Sequence, residues 1–332
     1  MMIPTKHVGI IGTGSKVPER IISNYDLEKS VDTSNEWIIK RTGISERRIL
    51  DDKQEAYMLG VDAAKSALES AKLSAQEIDL IVVATDTPDY MTPSTACLIQ
   101  GAIGASNAIA FDLNAACSGF IFAITVAQKF ILSGTHKNAL VIGCEGLSRI
   151  VDWQDRNTCI LFGDAAGAAV LSEVPEGFGI LNTYLGSDGE NGKFITIPNL
   201  YLNEEEKAKR VNGKYNSLWM DGQEVFKFAV KAMSSATKKV IEDVNMTIED
   251  IQFIFPHQAN TRIIDGAIKK LGVSDDKLHY IIHKYGNISS ASIPVSLDEA
   301  YREGKLKNGD NLVLVGFGGG LTWGSTLLKW CI

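Results

Sequence analysis

Cys117 stands where a strand-like stretch meets a helical pattern. Residues 108–113 are apolar with strand character, and apolar residues then recur at helical spacing from Phe120 to Ile131. A cysteine at the first turn of a helix lies near unpaired amides and the positive end of the helix dipole, which favour thiolate over thiol. The small neighbours in 115–119 leave the sulfur open. The sequence therefore predicts a nucleophilic thiol, with a packed core cysteine as the alternative.

His257 and Asn287 are the candidate partners of Cys117. His257 follows a predicted strand at 251–255 and precedes a predicted helix at 260–271, a corner that no other histidine of the chain occupies. Asn287 lies in a turn of small residues before another helix. The C-terminal ends of strands are where α/β folds place their chemistry. A thiol, an imidazole and an amide are suited to acyl transfer. A papain-type protease uses the same three residue types and is one alternative. A second alternative, for His257 taken by itself, is a core histidine.

Two other motifs suggest nucleotide chemistry. Trp37 and Arg41 lie four residues apart on a short predicted helix, so an indole and a guanidinium share one face. They could contact an adenine and a phosphate, or be a solvated helix surface. The strand-like start with Gly12 and Gly14 lacks the third glycine of a dinucleotide fingerprint and has Pro18 where a helix should run. We predict no dinucleotide site there.

The surrounding elements repeat. The apolar strand that begins at Ile78 resembles the strand that begins at Ile251, 173 positions later (251 − 78). The apolar strand that begins at Asn138 resembles the strand that begins at Asn311, again 173 positions later (311 − 138). The repeat predicts a duplicated α/β unit whose near-continuous apolar strands are covered on both faces. Residues 1–175 would form the half with the nucleophile, and 176–332 the half with His257 and Asn287. The polar stretch at 186–217 is predicted to be an excursion or lid.

Composition sets the broad class. The chain has 332 residues, 45% hydrophobic and 22% charged, with a net charge of −7, which argues against non-specific nucleic-acid binding. Five cysteines form no CxxC pair, which favours reduced thiols in the cytoplasm. Neither a signal peptide nor an apolar run of membrane-spanning length is evident. We predict a soluble cytoplasmic protein.

Seven motifs together resemble one family. They are DTSNEWI at 32–38, RTGI at 41–44, AACSGF at 115–120, FGDAAGA at 162–168, HQAN at 257–260, YGNISSASIP at 285–294 and GFGGGLTWGS at 316–325. They are similar to β-ketoacyl-acyl-carrier-protein synthase III, a thiolase-like condensing enzyme. The resemblance implies a homodimer with α-β-α-β-α layers that condenses an acyl-CoA with malonyl-acyl-carrier protein and initiates fatty acid biosynthesis, with no metal and no cofactor.

The resemblance also assigns residues. Cys117, His257 and Asn287 match the catalytic triad, and the amides of Cys117 and Gly319 match the oxyanion hole. The positions that match coenzyme A and pantetheine contacts are Thr33, Trp37, Arg41, Arg156, Gly222, Phe226, Ala259 and Asn260. Those expected to dock the carrier protein are Arg262, which matches the family's surface, and Lys227, Lys269 and Lys270 on helix faces nearby.

The chain departs from the family at one position that bears on specificity. Thr92 matches the residue, often aromatic, that reaches across the dimer to the floor of the partner's acyl pocket. A small residue there predicts a deeper pocket and a wider choice of primers.

Two alternatives for the function stay open besides the papain-type protease. One is a related condensing enzyme of a specialised, polyketide-like pathway with another starter or acceptor, and the other is a non-catalytic scaffold.

Overall fold

The computed structural model describes residues 6–210 and 214–332. Its strands are β1 His7–Lys16, β2 Ile21–Ser23, β3 Glu46–Arg48, β4 Leu80–Ala84, β5 Ile109–Leu113, β6 Ala139–Gly146, β7 Asp164–Val174, β8 Gly179–Ser187, β9 Ile195–Thr196, β10 Trp219–Met220, β11 Phe253–Pro256, β12 Asn311–Gly318 and β13 Thr322–Lys329. Its helices are α1 Asn24–Leu27, α2 Asn35–Thr42, α3 Ala56–Ala71, α4 Thr95–Ile103, α5 Gly119–Leu132, α6 Arg156–Cys159, α7 Glu204–Ala208, α8 Gly222–Glu242, α9 Thr261–Leu271, α10 Ile282–Tyr285 and α11 Ser292–Arg302.

Two large sheets share one topology. The first has the order β1-β7-β6-β4-β5 and the second β8-β13-β12-β11. In the first sheet β6, β4 and β5 are parallel, and β7 and β1 add antiparallel strands on the β6 side. In the second, β12 and β11 are parallel, and β13 and β8 add antiparallel strands on the β12 side. Where the first sheet has β5, the second has an isolated parallel bridge between Ile254 and Leu278. The predicted duplication is confirmed.

The predicted strand starts at Ile78 and Ile251 come too early in both copies. Each of these residues ends a single 3-10 turn, Ala75–Glu77 in one copy and Ile248–Asp250 in the other. A capping box holds each turn, with an acidic side chain bonded back to the preceding serine or threonine. The extended ladder therefore begins two residues later, at β4 and β11.

The sheets stack with helices between and outside them. One core cluster joins α5 and α11 to strands of both sheets, and its fully buried residues include Phe120, Phe255 and Trp330. Helices α3 and α4 cover the outer face of the first sheet, and α8 and α9 cover that of the second. This is the predicted α-β-α-β-α layering, because each apolar sheet face needs a covering layer.

The two halves meet through the central helices. All strands of the first sheet lie within residues 7–174 and all strands of the second within 179–329. The division at 175/176 stays a prediction, since the central core cluster draws on both parts. No described helix is both long and apolar enough to cross a membrane.

Gly12 and Gly14 let β1 lie directly against α3. A Cβ at Gly12 would stand 2.5 Å from the amide nitrogen of Ala71, and one at Gly14 would stand 2.4 Å from the carbonyl oxygen of Ala63. The glycine pair is therefore explained by close strand–helix packing.

The polar excursion at 186–217 contains short elements of secondary structure and a buried arginine. Strands β9 and β10 pair as a short antiparallel ladder, and α7 lies between them in sequence. Arg210 is buried and bonds to the carboxylate of Glu206 at 2.8 Å and the carbonyl oxygen of Ser217 at 3.0 Å. Residues 211–213 lie outside the described residues.

Candidate active site

Cys117 sits in a strained turn between β5 and α5. The turn is a 3-10 segment, Ala116–Ser118, and Ala116 has a φ of 48°, in the left-handed region that a residue with a Cβ rarely adopts. The Ser118 hydroxyl bonds the carbonyl of Ala115 and the hydroxyl of Thr322, both at 2.8 Å. Such strain persists only where the surroundings enforce it, and it is concentrated at functional sites.

The end of β12 packs against the turn that carries Cys117, Ala116–Ser118. A Cβ at Gly318 would stand 2.6 Å from the Cys117 amide nitrogen and 3.1 Å from the Cys117 Cβ. Only glycine permits this approach, because both neighbours belong to the turn itself. The Thr322 hydroxyl contacts the carbonyls of Ala115 and Gly319, each at 2.9 Å, and so links the two backbone segments expected to form the oxyanion hole.

His257 is a buried, neutral imidazole. Its backbone amide donates to Val315 at 2.7 Å, which fixes the residue at the end of β11. The side chain is 1% exposed, and burial lowers the pKa of His257 to about 3. Among the described residues neither ring nitrogen has a hydrogen-bond partner, and the edge of the ring meets Phe317 at a centroid distance of 5.3 Å. Both nitrogens are therefore available to a bound molecule.

Asn287 is held from both backbone and side chain. Its amide donates to Leu161 at 2.8 Å, and its carbonyl accepts from Gly163 at 3.0 Å. Its Oδ1 accepts the amide of Ser289 at 2.9 Å. With that oxygen occupied, the NH₂ end of the side chain is the end that can donate to a ligand.

Cys117, His257 and Asn287 line one cavity of about 1470 Å³. Its lining also contains eight of the other predicted site residues: Trp37, Arg41, Gly222, Phe226, Ala259, Asn260, Arg262 and Gly319. Thr33 and Arg156 are not among the described lining residues. The cavity exceeds the usual size of a small-molecule pocket, which is about 300–1000 Å³, and so suits a long ligand.

Trp37 is flanked by two guanidinium groups. The Arg41 Cζ lies 5.5 Å from the indole centroid, and the Arg156 Cζ lies 4.8 Å from it. Arg156 is tied by its Nη1 to the carbonyl of Asp32 at 2.7 Å. The Thr33 hydroxyl nearby is buried and has no hydrogen-bond partner among the described residues. An aromatic ring close to two cations suits a ligand with a ring and phosphates.

The expected docking residues lie around α9. The Arg262 guanidinium lies 5.8 Å from the Phe226 ring, at the cavity, whereas Lys269 and Lys270 are exposed in the last turn of α9. Lys227 is exposed and bonds to Glu224 at 2.6 Å. Asn260 caps α9 by accepting the Arg262 amide at 2.9 Å. These positions are compatible with a docking surface, and the assignment stays a prediction.

Thr92 is exposed in the loop before α4 and does not line the described cavity of its own chain. Its predicted role concerns the pocket of a second subunit, so the assignment also stays a prediction.

The prediction of a lowered Cys117 pKa is wrong. Desolvation in the cavity raises the pKa of the thiol most, and the nearby carboxyl groups of Asp86 and Glu145 raise the pKa further, whereas the Ser289 hydroxyl lowers it. The sequence analysis missed these three residues. Asp86 stands two residues after the end of β4, at the C-terminal edge of the sheet, and that position was the available signal.

Comparisons with known proteins agree along the chain. Residues 111–189 match the family described as 3-oxoacyl-[acyl-carrier-protein (ACP)] synthase III, and residues 241–330 match its C-terminal part. A protein of Caldanaerobacter subterraneus subsp. tengcongensis named beta-ketoacyl-[acyl-carrier-protein] synthase III is 52% identical over 322 residues, 97% of each chain.

Solved structures show the same fold. The 3-oxoacyl-[acyl-carrier-protein] synthase III of Aquifex aeolicus VF5 superposes with a TM-score of 0.91 at 45% identity, covering 97% of this chain and 100% of that one. The priming β-ketosynthase of the R1128 polyketide biosynthetic pathway superposes with a TM-score of 0.92 at 34% identity, covering 100% and 98%.

Proposed function

The chain belongs to the 3-oxoacyl-[acyl-carrier-protein] synthase III family, and on this basis we propose that it is an acyltransferase that initiates fatty acid biosynthesis. It condenses an acyl-CoA primer with malonyl-acyl-carrier protein, with loss of CO₂, to give a 3-oxoacyl-acyl-carrier protein. The observation that carries the proposal is that Cys117, His257 and Asn287 line one cavity that also contains Trp37 and Arg41.

The first half-reaction acylates Cys117. The sulfur attacks the thioester carbon of the acyl-CoA, and the amides of Cys117 and Gly319 donate to the developing oxyanion. One such donor typically contributes about 10²–10³ in rate. Coenzyme A leaves and the acyl group stays on the thiol. The contact between the Gly318 and Cys117 backbones supports this pairing of amides, because it holds the two segments in register.

The second half-reaction uses His257 and Asn287. Loss of CO₂ from the malonyl group places negative charge on the thioester oxygen, and the resulting carbanion attacks the acyl group on Cys117. A neutral imidazole and an amide NH₂ can both donate to that oxygen without adding negative charge. The lowered pKa of His257 and the occupied Oδ1 of Asn287 support this role.

Three arginines at or beside the cavity suit the anionic parts of both substrates. They are Arg41, Arg156 and Arg262, and they share the cavity with five aspartates, Asp86, Asp89, Asp112, Asp155 and Asp221. A guanidinium group can pair with a phosphate of coenzyme A or with a carboxylate of an acidic carrier protein. Thr33, Gly222, Phe226, Ala259 and Asn260 complete the coenzyme A and pantetheine contacts, and Lys227, Lys269 and Lys270 extend the carrier-protein surface. Coenzyme A is thus a substrate, and the reaction uses no resident cofactor or metal.

The protein acts as a homodimer in the cytoplasm. The edge strand β5 is unpaired on one side within the described chain, and Ile109 on it is 48% exposed. Tyr90 and Met91 are exposed apolar residues of the same half, beside Thr92. An uncovered apolar sheet edge supports pairing with a second copy. All five cysteines are free, which supports a reducing compartment.

A condensing enzyme of a specialised pathway is the second candidate. The similarity to the R1128 priming β-ketosynthase supports it, whereas the 52% identity to a beta-ketoacyl-[acyl-carrier-protein] synthase III favours fatty acid initiation. Intact-mass spectrometry after incubation with a panel of acyl-CoAs separates the two. We expect acylation by short acyl-CoAs and release of the acyl group as a 3-oxoacyl-acyl-carrier protein when malonyl-acyl-carrier protein is added. Acylation without that release would contradict the proposal.

A further inference from the structure

One wall of the cavity is formed by the two short strands β9 and β10. Ile195 of β9 and Trp219 and Met220 of β10 are among its lining residues. The two strands pair directly, Ile195 with Met220 and Thr196 with Trp219. An isolated two-stranded ladder is at best marginally stable in water. The wall therefore needs support from outside the ladder.

The wall lies against the segment expected to form the oxyanion hole. A Cβ at Gly319 would stand 3.6 Å from Ile195 Cγ2, so the Ile195 side chain faces the Gly319 backbone at close range. The base of the excursion is tied to the same segment: the amide of Asp188 donates to the Leu321 carbonyl and the amide of Leu321 donates to the Asp188 carbonyl, both at 2.8 Å. A shift of β9 would therefore be felt where the thioester oxygen is expected to bind.

The wall also continues into the residues that match pantetheine contacts. Gly222 and Phe226 lie in the first turns of α8, directly after β10, and line the same cavity. Asp221, between β10 and α8, donates its amide to the carbonyl of Phe194, directly before β9, at 2.8 Å. A thioester that arrives on a pantetheine arm would therefore pass along this wall.

Arg210 ties the wall together with every hydrogen-bond donor that it has. Its Nε donates to the carbonyl of Ser217, two residues before β10, at 3.0 Å. Its Nη2 donates to the carbonyl of Thr196 at 3.1 Å and to the hydroxyl of the same residue at 3.0 Å. Its Nη1 donates to the carbonyl and to the carboxylate of Glu206, each at 2.8 Å. A guanidinium group has five N–H donors, so none is left for a ligand.

The charge of Arg210 is compensated within this network. The side chain is 2% exposed, and it is not among the lining residues of the cavity. Glu206 Oε2 accepts Nη1 of Arg210 and the hydroxyl of Thr196, each at 2.8 Å. A buried charge is tolerated when it is paired and hydrogen-bonded. Because these partners belong to α7, β9 and the approach to β10, the network holds the three segments in one arrangement.

We propose that Arg210 is a positioning residue of the condensing reaction, which holds β9 and β10 in place as the wall that binds the pantetheine arm of both substrates. The inference rests on the proposed function, because it concerns the binding of the same acyl-CoA and malonyl-acyl-carrier protein. Arg210 touches neither substrate and acts through wall residues such as Ile195. Cys117 and His257 lie on other elements, so a displaced wall should weaken binding of both substrates and leave the reacting groups in place.

The test is steady-state kinetics of Arg210→Ala, with acetyl-CoA and malonyl-acyl-carrier protein varied in turn. We expect the KM for each substrate to rise about tenfold, the equivalent of one lost hydrogen bond, with kcat within a few-fold of the wild type. A merely structural role would instead lower the fraction of active enzyme, and hence kcat, without changing KM. Thr196→Val removes one partner of the guanidinium and keeps the shape of the side chain, so it should raise both KM values in the same direction by less.

The matched control is Lys207→Ala, which removes a cation from the same helix. Its ammonium group pairs with Glu204 at 2.6 Å and makes no bond to β9 or β10 among the described residues. This variant should keep both KM values, and thermal unfolding of all variants monitors folding.

Unchanged KM values in Arg210→Ala, or a rise for one substrate alone, would overturn the inference. If Arg210→Ala does not fold, unchanged KM values in Thr196→Val would overturn it equally. Absence of acylation in the wild type itself would instead contradict the proposed function.

Discussion

Gly318→Ala should disable the nucleophile by displacing it. The added Cβ would stand 2.6 Å from the Cys117 nitrogen and 3.0 Å from the Ala116 Cβ, and both atoms belong to the strained nucleophile turn rather than to a flexible side chain. Restoring an ordinary contact near 3.4 Å requires a shift of about 0.8 Å (3.4 − 2.6). A misplacement of about 1 Å at a reacting group costs about 10²-fold in rate, and overpacking of this kind costs about 1–3 kcal/mol of stability.

The assay compares Gly318→Ala with Gly319→Ala in single-turnover acylation and thermal unfolding. Alanine at position 319 keeps the amide and would meet its nearest atom, the Ala116 Cβ, at 3.5 Å, an ordinary contact. We expect Gly318→Ala to acylate about 10²-fold more slowly and Gly319→Ala to stay within a few-fold of the wild type. If Gly318→Ala is acylated at the wild-type rate, or Gly319→Ala is the more damaged variant, the close approach does not set the position of Cys117.

His257→Ala and Asn287→Ala should suppress malonyl decarboxylation far more than acylation, because enolate charge arises only when CO₂ leaves; equal losses in both half-reactions would contradict the division of roles. Thr92→Phe should penalise longer or branched primers by filling the pocket floor, and an unchanged chain-length profile would show that Thr92 does not reach it. Arg262→Glu should impair condensation with malonyl-acyl-carrier protein while sparing acylation, with an effect that weakens at high salt. Lys65→Glu, at an exposed position of α3 on the outer face of the first sheet, is the control and should leave condensation unchanged; undiminished condensation by Arg262→Glu would place docking elsewhere.

The layered fold could be predicted from the sequence because its signals are local and repeated. Apolar strands without a polar face require covering layers on both sides, and the shared offset of 173 positions links β4 to β11 and β6 to β12. For the glycines of β1 the sequence predicted no dinucleotide site. Their actual role, contact with the backbone of α3, depends on a partner that no local pattern specifies.

The charge state of the nucleophile could not be predicted in this way. The position of Cys117 before α5 suggested a lowered pKa, since the helix terminus is visible in the sequence. The opposing influence comes from Asp86 and Glu145, which are 31 and 28 positions away from Cys117. They approach it because β4 lies between β5 and β6 in the sheet, with all three strands parallel. Ser289 is still more distant in sequence and belongs to the other half. Pairings across the fold decide the electrostatics of a buried site.

The central claim is that Cys117 carries the acyl group between two substrates. The direct measurement is intact-mass and peptide-level mass spectrometry of the wild type and Cys117→Ser after incubation with acetyl-CoA, followed by addition of malonyl-acyl-carrier protein. The account predicts one acetyl group on the peptide that contains Cys117, none on the serine variant, and its discharge as a 3-oxoacyl-acyl-carrier protein. Acetyl recovered on any of the other four cysteines, or a labelled serine variant that still condenses, would contradict it.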